Sequence, residues 1–476
     1  MNDIKFGTDG WRAVIADDYT YENVRRVGGG IASYVLKNED PSRGLLVAWD
    51  TRFASKEFAH LIAEVLADAG INIQIANDYT PTPALSYAVK NLRTAGGVMI
   101  TSSHNPWNWN GVKFKETFGG SARPSVIKVI EEEVRKGTMP KGKRGTITEV
   151  DFKAAYIDAI TKFADLEKIK NAGFKFLVDC MYGAGRNVLS GIFNEHGIKH
   201  VQIHANVDPL FGGINPEPIE PWVNGAKEAT VREKCDAGLI VDGDADRVGA
   251  VTEDGMFVDA HKCFAILLKW LLEYKKWPGA VTRAYNTTLM LDRIAKKYGR
   301  ELIEHGIGFK YVTDIVLSGK EVAIGGEESG GIGFPRHLPE RDGTLNSLLL
   351  ANAMADSGRT MGQLVADLQK EFGEHHYGRK DLRIPEDVKQ NALHRAGTGK
   401  LDHIGKYKVL RSGNLDGIKF YLDAPKNGNG ADAWVLLRAS GTEPLMRIYC
   451  EASSPDIVQE ILTSAVDFVY EKSTTA

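Results

Sequence analysis

The sequence has few of the features that mark secreted, membrane-spanning or metal-thiolate proteins. Its four cysteines form no CxxC pair, which argues against a disulfide framework and against a thiolate zinc site; they are Cys180, Cys235, Cys263 and Cys450. The most apolar stretch, FAILLKWLL at 264–272, is short and contains Lys269. The N-terminal MNDIKFGTDGW lacks a basic region followed by an apolar run. We therefore expect a cytoplasmic protein without a membrane partner.

A charge excess is also lacking. The 59 basic and 62 acidic residues give a net charge of −3, so the basic footprint of a nucleic-acid-binding protein is missing and no nucleic-acid partner is expected. An anionic ligand would have to be held by local charge. The 476 residues allow several domains at about 100–200 residues each, which is enough to enclose a cleft.

Glycine is the one residue in excess, with 50 copies that cluster beside polar residues. One arrangement occurs three times along the chain. An apolar run rich in β-branched residues is followed by a helical pattern and then by a second apolar run, which ends in a cluster of glycine and polar residues. The three runs with their clusters are GGVMITSSHNP at 96–106, AGLIVDGDADR at 237–247 and VAIGGEESGG at 322–331. This is a divergent repeat with a unit of roughly 110 residues, longer than solenoid periods, and it predicts three similar α/β domains. Because parallel sheets bind ligands beyond the carboxyl ends of their strands, these loops are the expected site.

The pattern changes after residue 371. The segment AWVLLRASGTEPLMRIYCEAS at 433–453 predicts two strands around a turn, with another strand at 417–423 and a helix from about Pro455 to Val469. The fold class is therefore three similar α/β domains with mixed sheets plus a C-terminal α+β domain around a central cleft. The predicted domains are 1–150, 151–252, 253–371 and 372–476, with a hinge between Gly373 and Asp387.

The loop DGDADR carries Asp242, Asp244 and Asp246 directly after an apolar run. Three carboxylates in one short loop suit a hard cation such as Mg²⁺. An EF-hand is disfavoured, because Arg247 stands where its sharp turn needs glycine and both flanks resemble strands. A solvated acidic turn and a DxD-type phosphatase remain as alternatives.

The loop TSSHNP offers Ser103 beside His104. Neighbouring Ser and His are seldom catalytic by themselves. A phosphate on Ser103 would change this, since its oxygens could join a metal ion held by aspartates.

Two further loops suit sugar-phosphate chemistry. RASGTEP combines Arg438 with small hydroxyl residues around a glycine, which is typical either of an anion nest or of a plain hairpin turn. GEESGG places Glu327 and Ser329 at a strand end, where they could bind sugar hydroxyls or merely be surface groups. Arg12 and Lys113 are cations of the first unit that alone would indicate only surface charge.

The ordered set GTDGWR, TSSHNP, NGVKF, DGDADR, GEESGG and RASGTEP resembles the α-D-phosphohexomutase family, and within it the phosphoglucomutases and phosphomannomutases. The resemblance covers nearly the whole chain. It implies an isomerase, specifically an intramolecular phosphotransferase, that interconverts hexose 1-phosphates and hexose 6-phosphates. It also implies a phosphoserine, one Mg²⁺ per chain and glucose 1,6-bisphosphate as intermediate and activator, in a monomer or homodimer.

The resemblance assigns roles residue by residue. The phosphorylated serine falls on Ser103, which also joins Asp242, Asp244 and Asp246 as a metal ligand. The positive catalytic centre falls on Arg12, His104, Lys113 and Arg247, and the substrate-binding positions on Lys310, Glu327, Ser329, Arg438, Ser440, Gly441 and Thr442. Which of Lys113, His104 and Arg12 moves the proton stays open.

The sequence departs from part of the family at Gly331, where many phosphoglucosamine and dual-specificity members have histidine. Glu328 and the PERDG segment at 339–343 favour phosphoglucomutases. We expect glucose to be preferred, with mannose also used. The alternatives are a phosphoglucosamine mutase and, from another class, a metal-dependent sugar phosphatase.

Overall fold

The computed structural model describes residues 4–7, 9–399, 401–439 and 445–471. The first unit is a six-stranded mixed sheet in the order β1-β5-β4-β2-β3-β6. Its elements are β1 (Trp11–Val14), α1 (Tyr21–Asn38), β2 (Leu45–Trp49), α2 (Ser55–Asp68), β3 (Ile73–Ala76), α3 (Thr82–Leu92), β4 (Gly97–Ile100), β5 (Trp109–Lys115), α4 (Pro124–Lys136) and β6 (Ile147–Val150). Strand β2 is parallel to β3 and β4 and buried at every residue, as expected where helices cover both faces.

The second unit is a five-stranded mixed sheet in the order β11-β10-β9-β7-β8. Its elements are α5 (Lys153–Thr161), α6 (Leu166–Ala172), β7 (Phe176–Asp179), α7 (Val188–Glu195), β8 (His200–Ile203), α8 (Asn224–Arg232), β9 (Ala237–Val241), β10 (Val248–Thr252) and β11 (Phe257–Val258). Strand β7 is parallel to β8 and β9, and the apolar run of β9 is wholly buried.

The third unit is a four-stranded mixed sheet in the order β13-β12-β14-β15. Its elements are α9 (Ala260–Trp270), β12 (Ala280–Ala284), α10 (Met290–Lys297), β13 (Leu302–His305), α11 (Lys310–Leu317), β14 (Val322–Gly326), β15 (Ile332–Gly333), α12 (Gly343–Ser357) and α13 (Met361–Phe372). The apolar stretch FAILLKWLL lies mainly in α9 and is almost entirely buried. Among the described residues, no helix is long and apolar enough to cross a membrane.

The fourth unit is an antiparallel six-stranded sheet in the order β16-β21-β20-β19-β18-β17. Its elements are β16 (His376–Arg383), α14 (Glu386–Gly397), β17 (His403–Ile404), β18 (Tyr407–Gly413), β19 (Ile418–Asp423), β20 (Ala433–Ala439), β21 (Leu445–Ala452) and α15 (Pro455–Tyr470). The predicted fold class, three α/β units plus an α+β unit, is confirmed.

One part of the predicted hinge is wrong. Residues His376–Arg383 form strand β16, which pairs with β21 at all eight positions. The sequence did not indicate a strand because the side chains that alternate outward are charged and few apolar residues alternate with them. Within the described chain, the stretch between α13 and β16 is only residues 373–375.

The second and third units share one hydrophobic core. Apolar side chains of the second sheet, such as Phe176 and Leu239, belong to the same buried cluster as Phe264 and Leu348 of the third unit. Helix α12 is buried almost all round and contacts both α6 and α9, which explains why its sequence shows little amphipathic periodicity. This shared core fixes the loop after β9 relative to the loop after β14.

Candidate active site

Ser103 lies in the turn that follows β4, at the carboxyl edge of the first sheet. Its side chain is buried, and its backbone adopts the left-handed conformation with a φ of 51°. The hydroxyl donates a hydrogen bond to Asp242 Oδ2 at 2.8 Å. His104 Nδ1 lies 3.4 Å from the same hydroxyl. The turn thus directs the Ser103 hydroxyl at the acidic loop of the second unit.

The acidic loop follows β9 and contains Asp242, Asp244 and Asp246, all fully buried. One carboxylate oxygen from each lies within 4.8 Å of the others. Asp244 Oδ1 and Asp246 Oδ1 are buried without a hydrogen-bond partner in the described structure. Buried acceptors left unpaired are costly, and a hard cation bound by oxygens would satisfy them. The three carboxylates therefore fit a divalent metal ion.

The electrostatics of the triad agree with this fit. Burial, together with the charges of Asp244 and Asp246, raises the pKa of Asp242 well above its usual value. Burial opposes the charge of Asp244 as well, but Lys113, the Thr82 hydroxyl and Arg341 together outweigh burial and lower the pKa of that carboxyl. Burial and the neighbouring carboxylates therefore disfavour the charge of Asp242, the carboxylate that accepts from Ser103.

Lys113, on β5, faces the triad from the first unit. Its ammonium lies 2.8 Å from Asp244 Oδ2, 3.2 Å from Asp246 Oδ2 and 3.0 Å from Asp9 Oδ2. Burial disfavours its charge, but these three carboxylates outweigh burial and raise the pKa of Lys113. Lys113 is therefore a fixed cation in this structure.

The other residues assigned to the positive catalytic centre, Arg12, His104 and Arg247, surround the Ser103 turn. Arg12 Nη1 donates to Asn105 Oδ1 at 2.7 Å, and Arg247 Nη1 donates to Glu217 Oε1 at 3.3 Å. Burial lowers the pKa of His104, and the charges of Arg247 and Arg12 lower it further. His104 is therefore a neutral imidazole among cations, and the centre as a whole suits a transferring phosphoryl group.

Glu327 follows β14 and joins the same network through Arg341. Arg341 Nη1 lies 3.6 Å from Glu327 Oε2, and Nη2 lies 2.9 Å from Asp246 Oδ2. Burial raises the pKa of Glu327 to about 7, and its buried Oε2 has no hydrogen-bond partner in the described structure. Ser329 lies two residues further in the loop and is partly exposed.

Gly331 closes this loop against Arg341. A Cβ at residue 331 would lie 2.4 Å from Arg341 Cδ and 3.2 Å from Glu327 Oε2. The side chain of Arg341 therefore fills the space that a larger residue at 331 would take. The glycine at 331, where many family members have histidine, therefore leaves room for Arg341 of the PERDG segment.

Two predicted substrate-binding residues lie elsewhere, where the third unit meets the fourth. Arg438 Nε donates to Asp416 Oδ1 at 2.9 Å, and Asp416 Oδ2 accepts from the backbone N–H of Ile307 at 2.8 Å. Lys310 begins α11 three residues after Ile307 and is partly exposed. Neither cation contacts the triad in the described structure. Ser440, Gly441 and Thr442 lie outside the described residues.

The sequence reasoning did not single out Asp9, Arg52, Glu217 or Arg341. Asp9 and Arg341 lie inside the segments GTDGWR and PERDG, and neither segment signals a role for these two residues. Asp9 Oδ2 accepts from Arg341 Nη2 at 2.5 Å across 332 positions of sequence. No local pattern signals a pair so distant.

Comparison with known families agrees with this architecture. Models described as phosphoglucomutase/phosphomannomutase match in four parts: α/β/α domain I at 3–141, domain II at 154–255, domain III at 259–372 and the C-terminal domain at 423–467. Together they cover well over half of the chain.

Individual relatives match over nearly their full length. A phosphoglucomutase/phosphomannomutase of Thermococcus kodakarensis is 31% identical over 98% of both chains, and a phosphoglucosamine mutase of Carboxydothermus hydrogenoformans is 29% identical over 97% of this chain and 98% of its own. The crystal structure of a candidate phosphomannomutase from Thermus thermophilus superposes with a TM-score of 0.85 and 33% identity, covering 99% of this chain and 100% of its own. The chain therefore belongs to the phosphoglucomutase/phosphomannomutase family and is an isomerase of the α-D-phosphohexomutase class.

Proposed function

We propose that this mutase interconverts hexose 1-phosphate and hexose 6-phosphate, with glucose preferred and mannose also used, through a phosphate carried on Ser103. The observation that carries the proposal is the Ser103 hydroxyl, which lies 2.8 Å from Asp242 of a triad that has two buried oxygens without a hydrogen-bond partner in the described structure. We propose Mg²⁺ as the ion of Asp242, Asp244 and Asp246, joined by Ser103. When bound, it would neutralise charge on the phosphoryl oxygens.

The side chains of the site would carry out the phosphoryl transfer itself. The bond from phosphorus to Ser103 Oγ breaks as a sugar hydroxyl oxygen binds phosphorus and loses its proton, giving hexose 1,6-bisphosphate. That bisphosphate turns end for end and returns its other phosphate to Ser103. Arg12, Arg247 and Lys113 supply fixed positive charge where negative charge spreads in the transition state. His104, a neutral base whose Nδ1 lies 3.4 Å from Ser103 Oγ, would accept the proton that the sugar hydroxyl loses.

The distant residues would hold the part of the substrate that does not react. Glu327 and Ser329 are proposed to bind the hydroxyls at sugar carbons 3 and 4. Lys310 is proposed to contact the substrate from α11, and Arg438 with Ser440, Gly441 and Thr442 to bind the non-reacting phosphate. We also propose four domains at 1–150, 151–252, 253–371 and 372–476. The boundary at 252 separates strand β11, at Phe257–Val258, from the second sheet, in which it pairs with β10.

The test is one coupled assay of glucose, mannose, galactose and glucosamine 1-phosphates with magnesium and glucose 1,6-bisphosphate. Because glucose and mannose differ only at carbon 2, we expect them to differ by about 10²-fold or less. Galactose should be much poorer, since inversion at carbon 4 leaves the buried Glu327 without its partner. Preference for glucosamine would place the enzyme with the phosphoglucosamine mutases, and stoichiometric inorganic phosphate without a need for bisphosphate would indicate a phosphatase.

Arg438→Ala should raise KM for the hexose phosphate by about 10²-fold with little change in kcat, because a charge-assisted contact worth about 3 kcal/mol is lost in ground state and transition state alike. Arg395→Ala, in α14 of the same unit, is the control, since Arg395 donates to the Phe468 carbonyl and pairs with Glu471. An unchanged KM in Arg438→Ala would assign the phosphate to other residues.

Binding of the sugar should depend on pH through Glu327. Its pKa of about 7, raised by burial, leaves the carboxyl largely protonated at pH 6, where it cannot accept from two hydroxyls. We expect KM to fall between about pH 6 and about pH 8, and Glu327→Gln to have a higher KM that lacks this component. Both proteins share the titration of the substrate phosphate. Parallel KM profiles for the two proteins would show that Glu327 does not titrate in this range.

A further inference from the structure

Arg52 is a buried guanidinium that holds the whole Ser103 turn. It lies three residues beyond β2, and its side chain is shielded from solvent. Nη2 donates to the carbonyls of Ser103 at 2.5 Å and Asn105 at 2.7 Å, while Nη1 donates to those of Pro106 at 2.8 Å and Trp109 at 3.1 Å. One side chain thus ties together four carbonyls between residues 103 and 109.

Asp50 connects Arg52 to the other side of the serine. Asp50 Oδ2 lies 3.2 Å from Arg52 Nε and accepts from the Thr101 hydroxyl at 2.6 Å. The Thr101 hydroxyl oxygen in turn accepts from the backbone N–H of Ser103 at 2.8 Å. The Ser103 carbonyl is therefore held by Arg52 and its N–H by Thr101, and both of these groups are anchored on one carboxylate.

These hydrogen bonds to the Ser103 backbone are needed because Ser103 has a φ of 51°, in the left-handed region that is unfavourable for residues other than glycine. A residue remains in this conformation only where its surroundings impose it. Relaxation of the turn would move Oγ away from Asp242, to which it is hydrogen-bonded. The ring of Phe211, from the second unit, lies 4.9 Å from the Arg52 guanidinium carbon and covers it.

We propose that Arg52 and Thr101, both anchored on Asp50, are positioning residues for phosphoryl transfer. They hold Ser103 in the strained conformation that aims its oxygen at the triad. None of the three touches substrate in this role. The inference deepens the proposed function, since it takes Ser103 as the phosphate carrier and adds what fixes its geometry.

The test uses the full-length enzyme with Arg52→Lys, which cannot reach four carbonyls at once, and Thr101→Val, which keeps the volume and removes the hydroxyl. A misplacement of about 1 Å lowers the rate by about 10²-fold, so we expect kcat to fall by about that factor while KM stays within about 3-fold. A badly aligned serine should also recapture the bisphosphate poorly, so more hexose bisphosphate should be released per turnover.

Arg43→Lys is the matched control. Arg43 precedes β2 and is exposed, and its guanidinium donates to the carbonyls of Arg93 at 2.5 Å and Thr94 at 2.9 Å, so it binds two carbonyls of a loop at the opposite edge of the sheet. It should leave kcat and bisphosphate release unchanged. Circular dichroism and thermal unfolding establish that each variant is folded.

The proposal is supported if a folded Arg52→Lys or Thr101→Val variant loses kcat at nearly unchanged KM and releases more hexose bisphosphate, while Arg43→Lys shows neither change. It is overturned if the folded variants keep kcat within about 3-fold, if KM rises instead, if Arg43→Lys loses as much, or if neither variant folds. Failure of the proposed function is seen separately, as a wild-type protein that works without phosphate on Ser103.

Discussion

Ser103→Ala should abolish mutase activity, with kcat reduced by at least about 10³-fold, because the variant loses the hydroxyl that faces the acidic loop and donates to Asp242 at 2.8 Å. Intact-mass measurement of the purified wild-type protein should show a fraction heavier by one phosphate. The variant should lack that fraction while retaining the far-ultraviolet spectrum and thermal midpoint of the folded protein.

The neighbouring Ser102→Ala is the control for this prediction. Ser102 is equally buried, and its hydroxyl has no hydrogen-bond partner in the described structure. We therefore expect it to keep its activity within about 3-fold and to retain the phosphate. Normal turnover by Ser103→Ala would rule out the phosphoserine route.

Asp244→Asn should remove magnesium-dependent turnover, also by about 10³-fold. The change preserves volume but takes one charge from a hard-cation site and weakens the pairing with Lys113, which Asp244 contacts at 2.8 Å. Calorimetric titration with Mg²⁺ should show binding to wild type and much weaker binding to the variant. Lys113 keeps Asp9 and Asp246 as partners, so the fold should survive.

Asp236→Asn is the matched control, because Asp236 directly precedes β9 whereas Asp244 lies in the loop that follows it. Its carboxylate accepts from the Lys175 N–H at 2.8 Å, a structural contact within the second unit. We expect unchanged magnesium binding and turnover. Wild-type activity of Asp244→Asn, or of wild type in EDTA, would contradict the metal assignment.

The first sheet shows why part of the architecture was predictable. Runs such as LLVAW at 45–49 and GVMI at 97–100 are apolar along their whole length because both faces of a parallel sheet are covered, so the strands are visible without alignment. Strand β16 gave no such signal, since its outward face carries charged side chains and its pairing partner, β21, lies about seventy positions later.

The positions of the candidate loops could be predicted for a similar reason. TSSHNP, DGDADR and GEESGG each follow a buried strand, and strands β4, β9 and β14 do end at these loops. Resemblance to a family then supplied the roles of the residues. The sequence shows that residue 331 is glycine, but only the structure shows that the side chain of Arg341 occupies the space beside it.

The sequence by itself determined the three α/β units, the three polar loops at strand ends and the residue types available for phosphate and metal, because these depend on local periodicity and spacing. Only the tertiary structure decided which charges meet. Asp9 and Arg341 are 332 positions apart, and Arg52 acts on a turn some fifty positions later. Buried charges find such partners through the packing of separate units, since each would be costly to bury alone, and that packing leaves no local trace in the sequence.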